Sequence, residues 1–186
     1  ASIPLRTGAR IERHPLVIAG GPGATNPEPL ADFVDVFAPG DGETVLARIV
    51  EQVKQSRKQG HRRQELLERL AGTGNLYVPS LYAHTAGAAG RRIPMRPPDA
   101  HIAWPVRIAP AASLSRTSAP LPVVPSVQTV FDRFQVEVAR GCSGGCRFCH
   151  AGILYRPVRE RTPGLVVQEA VRGALATGYD EVSLAG

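Results

Sequence analysis

A proline-rich stretch in the middle of the chain limits where regular secondary structure can form. Prolines stand at positions 94, 97, 98, 105, 110, 120, 122 and 125. Each one removes a backbone N–H donor and fixes φ, which breaks helices and excludes central strands. We therefore expect an ordered region over residues 1–71, an extended linker over residues 72–130 and a second ordered region over residues 131–186. The buried anchors expected within the linker are Tyr77, Val78, Leu81, Tyr82 and Trp104.

The overall composition is that of an ordinary globular protein. Of the 186 residues, 43% are hydrophobic and 20% are charged, which excludes wholesale disorder. No run approaches the roughly 18 consecutive apolar residues of a membrane span, and the first residues lack the apolar core of a signal peptide. We expect a cytoplasmic protein with no membrane partner.

The first region alternates short apolar runs with helical patterns. We predict a buried strand over residues 16–19, a helical turn over 27–33, a strand over 34–38, and helices from about residue 43 and over about 60–72. The first long helix has an apolar face formed by Val45, Leu46, Ile49, Val50 and Val53. Such alternation favours an α/β fold with a parallel sheet, in which Gly20, Gly21 and Gly42 follow the strands at the ligand-binding edge.

The last region has the pattern of a strand, a loop, a helix and a second strand. Phe134, Val136 and Val138 alternate with other residues as in a half-buried strand. Thr162 and Pro163 begin a helix that ends at Gly178, and a strand is expected over residues 179–184. The helix has an apolar face formed by Val166, Val167, Ala170, Val171, Ala174 and Leu175. In a β/α barrel, the loop after the first strand of this βαβ unit belongs to the catalytic rim.

All three cysteines lie in that loop, as Cys142, Cys146 and Cys149. Three cysteines so close together are too few for a disulfide framework and are typical of metal ligands. A structural zinc needs four protein ligands, and the obvious fourth candidate, His150, would have to converge on the metal from the residue next to Cys149. A 4Fe-4S cluster that leaves one iron open needs only three. The C-x3-C-x2-C spacing therefore favours an iron-sulfur cluster, with zinc as the alternative.

The charge of the chain keeps a second kind of function open. The net charge is +6 and the pI is about 9.8, which would suit an anionic partner such as RNA. The densest basic run lies over residues 54–63, but no aromatic residues for base stacking are interleaved with it. A solvated helix face is the simpler interpretation, and a zinc-stabilised basic RNA-binding module is the alternative function.

The cysteine motif and its surroundings resemble a known family. A C-x3-C-x2-C motif with an aromatic residue, Phe148, before the last cysteine is the signature of radical S-adenosylmethionine (SAM) enzymes. Residues 136–161 resemble uncharacterised bacterial radical SAM proteins that carry an N-terminal cobalamin-binding-like domain. The stretches 18–22, 26–33 and 40–43 resemble the end of that domain, and 77–82 resembles its linker. Because Met95 is the only methionine and the last residues read as a strand, we expect a fragment.

The resemblance implies a fold. The chain would contain the C-terminal part of a flavodoxin-like cobalamin-binding-type domain, a proline-rich linker, and the first βαβ unit of a radical SAM partial barrel. By itself such a chain would be catalytically incomplete, because one βαβ unit cannot enclose a substrate.

The resemblance also implies cofactors and a mechanism. Cys142, Cys146 and Cys149 would hold three irons of a 4Fe-4S cluster, and the fourth iron would bind the amino and carboxylate groups of SAM. The reduced cluster, supplied with electrons by a flavodoxin or ferredoxin, would cleave SAM to a 5'-deoxyadenosyl radical that takes hydrogen from a substrate. Phe148 would lie near the adenine, and Gly186 near the methionine end of SAM. No residue is assigned as catalytic, and the substrate is not indicated.

Cobalamin is a further possible cofactor, although its usual Asp-x-His-x-x-Gly motif is absent. The nearest match begins at Asp99 and has Trp104 where the glycine should stand. Gly20, Gly21 and Gly42 could still cradle a nucleotide tail. The alternative for these glycines is that tight β-α turns require them.

Overall fold

The computed structural model describes residues 2–108, 114, 123–127 and 129–186. Contacts between residues divide the chain into two compact units, Ala1–Ala111 and Ala112–Gly186. Residues 72–108, which composition assigns to a linker, therefore group with the first unit. None of the helices in the described ranges combines the length and apolarity that a membrane span requires.

The first unit contains a parallel pair of strands, two helices and a short antiparallel hairpin. Its elements are β1 (Ile18–Gly20), β2 (Val36–Ala38), α1 (Gly42–Lys58), α2 (Arg63–Ala71), β3 (His84–Ala86) and β4 (Arg92–Pro94). A 3-10 turn at Glu28–Leu30 lies inside the helical turn predicted over 27–33. The parallel pairing of β1 with β2 confirms the predicted direction of the strands.

The first strand differs from its prediction. It spans Ile18–Gly20 rather than residues 16–19, and Ile18 is exposed where a buried strand was expected. In the described part of the chain, β1 pairs with β2 alone, so one of its edges and part of its surface stay accessible. By contrast, Val36 and Phe37 of β2 are fully buried.

Helix α1 buries a narrower stripe than its sequence pattern predicts. Val45 and Ile49 are buried, whereas Leu46 and Val50 of the same predicted face are exposed. The helix ends in a Schellman arrangement, in which the N–H of His61 donates to the carbonyl of Ser56 at 3.0 Å. Gly60 makes this turn possible, because its φ of +71° lies in the left-handed region that favours glycine.

The core of the first unit includes residues from the predicted linker. Leu76, Tyr77, Val78, Tyr82 and Ile102 are buried with the apolar side chains of β2, α1 and α2. The expected burial is confirmed for Tyr77, Val78 and Tyr82, but Trp104 is exposed and Leu81 is only half-buried. A proline-rich segment can thus lack long elements and still complete a core.

Backbone and side-chain hydrogen bonds attach this segment to the sheet. Phe37 and Tyr77 exchange two backbone hydrogen bonds of 2.7 and 2.9 Å, which forms an antiparallel bridge at β2. The Tyr82 hydroxyl donates to the carbonyl of Ala103 at 2.7 Å. Burial raises the pKa of Tyr82 to about 12, so this donor stays protonated at neutral pH.

A buried carboxylate, Asp35, organises the polar interior of the first unit. Its Oδ2 lies 2.8 Å from Arg10 and 2.9 Å from Arg63, and it accepts the backbone N–H of Val17 at 2.7 Å. The side chains of Arg10 and Asp35 are both only 3% exposed. Arg10 also donates to the carbonyl of Phe33 at 2.7 Å. The N-terminal segment, the strands and α2 therefore meet at one carboxylate.

Removal of this carboxylate should strongly destabilise the first unit. We expect Asp35→Ala to lower the free energy of unfolding by about 3–5 kcal/mol, because it leaves buried guanidinium charge uncompensated. Urea denaturation followed by far-UV circular dichroism measures the change. Arg6→Ala is the matched control, since the Arg6–Asp32 pair is exposed and its loss should cost about 0–1 kcal/mol. Equal losses in the two variants would contradict the prediction.

The second unit is built around a βαβ arrangement. Its elements are β5 (Phe134–Glu137), β6 (Ala139–Arg140), α3 (Ala151–Leu154), β7 (Arg159–Glu160), α4 (Pro163–Thr177) and β8 (Val182–Ala185). Strands β5 and β8 are parallel, with Phe134 opposite Val182 and Glu137 opposite Ala185. The predicted strand, loop, helix and strand are therefore present, and the larger barrel remains a prediction.

Helix α4 packs on β5 through a position that apolar patterning does not reveal. A Cβ on Gly173 would lie 2.0 Å from Cε1 of Phe134, so only a glycine lets the helix pass over this ring. Val167, Val171 and Leu175, all part of the predicted apolar face, are exposed, Leu175 by 82%. The predicted face is therefore wrong for these three residues, because the Gly173–Phe134 contact turns another side of the helix inward.

This contact can be tested by two substitutions in the same helix. Gly173→Ala should destabilise the second unit by about 1–3 kcal/mol, because the added methyl group overpacks the Phe134 ring. Gly164→Ala is the control, since a Cβ there meets no atom within 4 Å, and it should be neutral or stabilising by up to about 1 kcal/mol. Urea denaturation compares them, and a Gly173→Ala variant as stable as Gly164→Ala would refute the packing argument.

Candidate metal centre

The cysteine loop, residues 141–150, follows the carboxyl end of β5 in the β5–β8 pair, and residues 151–158 form its return segment. Strands β6 and β7 pair antiparallel, with Ala139 opposite Glu160 and Arg140 opposite Arg159, and this short ladder closes the base of the loop. The N–H of Arg161 donates to the carbonyl of Val138 at 2.9 Å, directly beyond the ladder. Residues 141–158 therefore form an excursion whose two ends are held together.

Tight turns bring the cysteine positions close to one another. The N–H of Gly144 donates to Sγ of Cys142 at 3.3 Å, and the N–H of Cys149 donates to the carbonyl of Cys146 at 3.1 Å. A Cβ on Gly144 would lie 3.2 Å from Sγ of Cys142 and 3.8 Å from Sγ of Cys146. Two of the three sulfurs thus border one small space that a side chain at position 144 would fill.

The three thiols are accessible but are not drawn together around one point. Cys142, Cys146 and Cys149 are all exposed and unbridged. Among the residues that the structure describes, no group of three or more His, Cys, Asp or Glu side chains has a geometry that could hold a metal ion. The structure therefore places the predicted ligands on one loop, while their assignment as ligands remains a prediction.

Two glycines that sequence reasoning did not single out lie where the loop touches its own return segment. Gly141 has a φ of +94°, and a Cβ there would lie 2.5 Å from the carbonyl oxygen of Tyr155. A Cβ on Gly152 would lie 2.7 Å from the carbonyl oxygen of Gly144 and 3.2 Å from that of Cys142. No bulkier residue fits at either contact, and the sequence shows only ordinary glycines there.

Two ion pairs attach the loop to the elements around it, and these residues were also missed. Arg140 forms a two-point pair with Glu137, with distances of 2.9 and 2.8 Å. The largely buried Arg161 pairs with Glu169 of α4 and donates to the carbonyl of Glu137 at 3.1 Å. The signal in the sequence was Glu169, an acidic residue inside the predicted helix four residues before Gly173, and the structure buries it.

The residues expected to contact SAM lie around this loop. Phe148 is 90% exposed, so its ring is available to a ligand rather than part of the core. A Cβ on Gly186 would lie 3.3 Å from Cγ2 of Val138 and 3.4 Å from Cβ of Ala139. The end of β8 therefore lies next to the start of the loop. The roles of Phe148 and Gly186 toward SAM remain predictions.

The predicted glycines of the first unit lie at one edge of its sheet. Gly20 pairs with Ala38 at the ends of β1 and β2, and Gly42 is the first residue of α1. Gly21 has a φ of +81°, so the turn after β1 itself requires a glycine. This supports the structural explanation for Gly21, and binding of a nucleotide tail by Gly20, Gly21 and Gly42 remains a prediction.

Exposure of the three sulfurs predicts their reactivity. We expect all three thiols to react with Ellman's reagent in the folded, metal-free protein under oxygen-free conditions, because each cysteine is exposed and exposed thiols are accessible to the reagent. The absorbance of the released product counts them. A Cys142→Ser variant is the control and should lose one equivalent. If a thiol reacted only after urea was added, the exposed arrangement of the loop would be wrong.

Comparison with protein-family models gives a match to part of the chain. Residues 1–79 match the family model described as Radical SAM proteins, N-terminal. A comparison with curated proteins finds no match. The matched residues end well before Cys142, so this match and the spacing of the cysteines are separate observations. Both support a radical SAM protein, and the match does not favour the RNA-binding alternative.

Proposed function

We propose that the chain belongs to a radical SAM enzyme and that Cys142, Cys146 and Cys149 hold a 4Fe-4S cluster. The observation that carries the proposal is the C-x3-C-x2-C loop at the carboxyl end of parallel strands β5 and β8. The family match over residues 1–79 supports it independently. When bound, the cluster would supply an electron for the reductive cleavage of SAM to a 5'-deoxyadenosyl radical.

The residues of the loop fit a cluster held at three corners. Three exposed thiols provide thiolate ligands, which Fe–S clusters require. The space beside Gly144 borders the sulfurs of Cys142 and Cys146, where a larger side chain would stand in the way. The turn at residues 146–149, closed by the N–H of Cys149 donating to the carbonyl of Cys146 at 3.1 Å, keeps Cys149 in the same short loop.

Neighbouring residues would control the environment of the cluster and of SAM. The N–H of Gly144, already 3.3 Å from Sγ of Cys142, would keep donating to this sulfur, and such hydrogen bonds change the reduction potential of a cluster. Phe148 would cover the loop from water and provide an apolar wall for the adenine. The exposed edge of the loop would receive electrons from a flavodoxin or ferredoxin. No substrate is assigned, because a fold and a cluster do not identify one.

Oxygen-free loading with iron and sulfide tests the proposal. We expect a brown protein with about four irons per chain, because three cysteine ligands suffice for a 4Fe-4S cluster with one open site. Single Cys142→Ser, Cys146→Ser and Cys149→Ser variants should each lose most of this iron and its visible absorbance. Iron, acid-labile sulfide and zinc are measured on the same samples.

His150→Ala is the control variant, because it distinguishes an iron-sulfur cluster from a zinc site. His150→Ala should leave the iron content unchanged, whereas a zinc site that used His150 as its fourth ligand would lose its metal. A colourless wild-type chain that takes up one zinc and no sulfide would overturn the proposal. RNA affinity that falls steeply with salt would then favour the basic binding module.

A further inference from the structure

Helix α3 approaches the backbone of the cysteine loop at Gly152, the second residue of the helix. A Cβ there would lie 2.7 Å from the carbonyl oxygen of Gly144 and 3.2 Å from that of Cys142. Gly152 is buried, although the cysteines beside it are exposed. Because glycine has no side chain, helix α3 can pack closely against the backbone of the cysteine loop at this position.

The same contact is held by a side chain from the return segment. The guanidinium Nε of Arg156 donates to the carbonyl of Gly152. Further along, Gly141 packs against the backbone of residues 155–158. The loop is thus supported by one continuous segment, 152–158, on both sides of Cys142.

We infer that Gly152 is a positioning residue for the cluster, because its contact with the carbonyls of Cys142 and Gly144 sets where the first two thiolates point. The inference rests on the proposed function, since it concerns the same three cysteines. Gly144 is the residue whose N–H meets Sγ of Cys142 and whose open side borders Sγ of Cys146. A displacement of its peptide unit would therefore move both the hydrogen bond and the space between the sulfurs.

The expected effect of Gly152→Ala on the cluster is opposite to its expected effect on the stability of helix α3. Glycine in a helix normally costs up to about 1 kcal/mol relative to alanine, so Gly152→Ala should favour α3 if the helix alone mattered. An added methyl group would instead displace the carbonyl groups of Cys142 and Gly144 in the cysteine loop. Cluster properties should therefore suffer in a variant whose helix propensity is improved.

The test compares Gly152→Ala with Gly145→Ala in the full chain after oxygen-free loading. Gly145 lies in the same loop, but a Cβ there meets no atom within 4 Å, so this variant should behave as wild type. We expect Gly152→Ala to lose its cluster to a chelator roughly tenfold faster, because substitutions in the outer shell of a metal site typically weaken metal affinity by about 10–100-fold. We also expect a changed electron paramagnetic resonance signal of the reduced cluster, which loss of stability alone would not produce.

Each result has one meaning. A wild-type chain without a cluster overturns the proposed function, whereas a stable cluster with identical chelator and resonance behaviour in Gly152→Ala overturns this inference only. Circular dichroism of the metal-free variants checks their folding. If Gly152→Ala is unfolded, Arg156→Met decides, because methionine has no N–H at the position from which Nε of Arg156 donates to the Gly152 carbonyl. Faster cluster loss in that variant supports the inference, and unchanged loss overturns it.

Discussion

Both units depend on a pair of parallel strands, and parallel pairing imposes a crossover. Two parallel neighbours cannot be joined by a tight turn, so the chain must travel back along the sheet between them, usually as a helix. In the second unit, α4 makes this return between β5 and β8. The cysteine loop is inserted before the return, so it leaves the sheet at the carboxyl ends of the strands. Ligand sites of open α/β sheets lie at this edge.

Close packing in the second unit relies on residues without side chains. Gly173 admits the Phe134 ring beneath α4, while Gly141 and Gly152 admit the backbone of the cysteine loop and its return segment. A Cβ would lie 2.0 Å from the nearest atom at Gly173, 2.5 Å at Gly141 and 2.7 Å at Gly152. Such contacts tolerate little displacement, so they fix the position of the loop against its return segment. Its thiols can remain exposed without the loop losing its support.

Each unit is stabilised internally by charged groups, which have different partners in the two units. In the first unit, Asp35 lies between two guanidinium groups and a backbone N–H, all within 3 Å. In the second, Arg161 joins α4 to the end of β5 through Glu169 and a backbone carbonyl. Buried charges remain stable only when paired and hydrogen-bonded. Apart from the Arg161–Glu169 pair, these contacts join segments far apart in the chain, and for this reason local sequence patterns did not reveal them.

The spacing of Cys142, Cys146 and Cys149, the parallel strands and the βαβ order follow from the sequence, because each is a local pattern of chemistry or periodicity. The positions of the two longest helices, α1 and α4, were also predictable from local patterns. The burial of Tyr77 was also expected, but the core that it joins, the exposure of Ile18 and the side of α4 that faces inward were decided only by tertiary structure. Those outcomes depend on what packs against each residue, as the Phe134 ring under Gly173 does, and a single stretch of sequence does not contain that information.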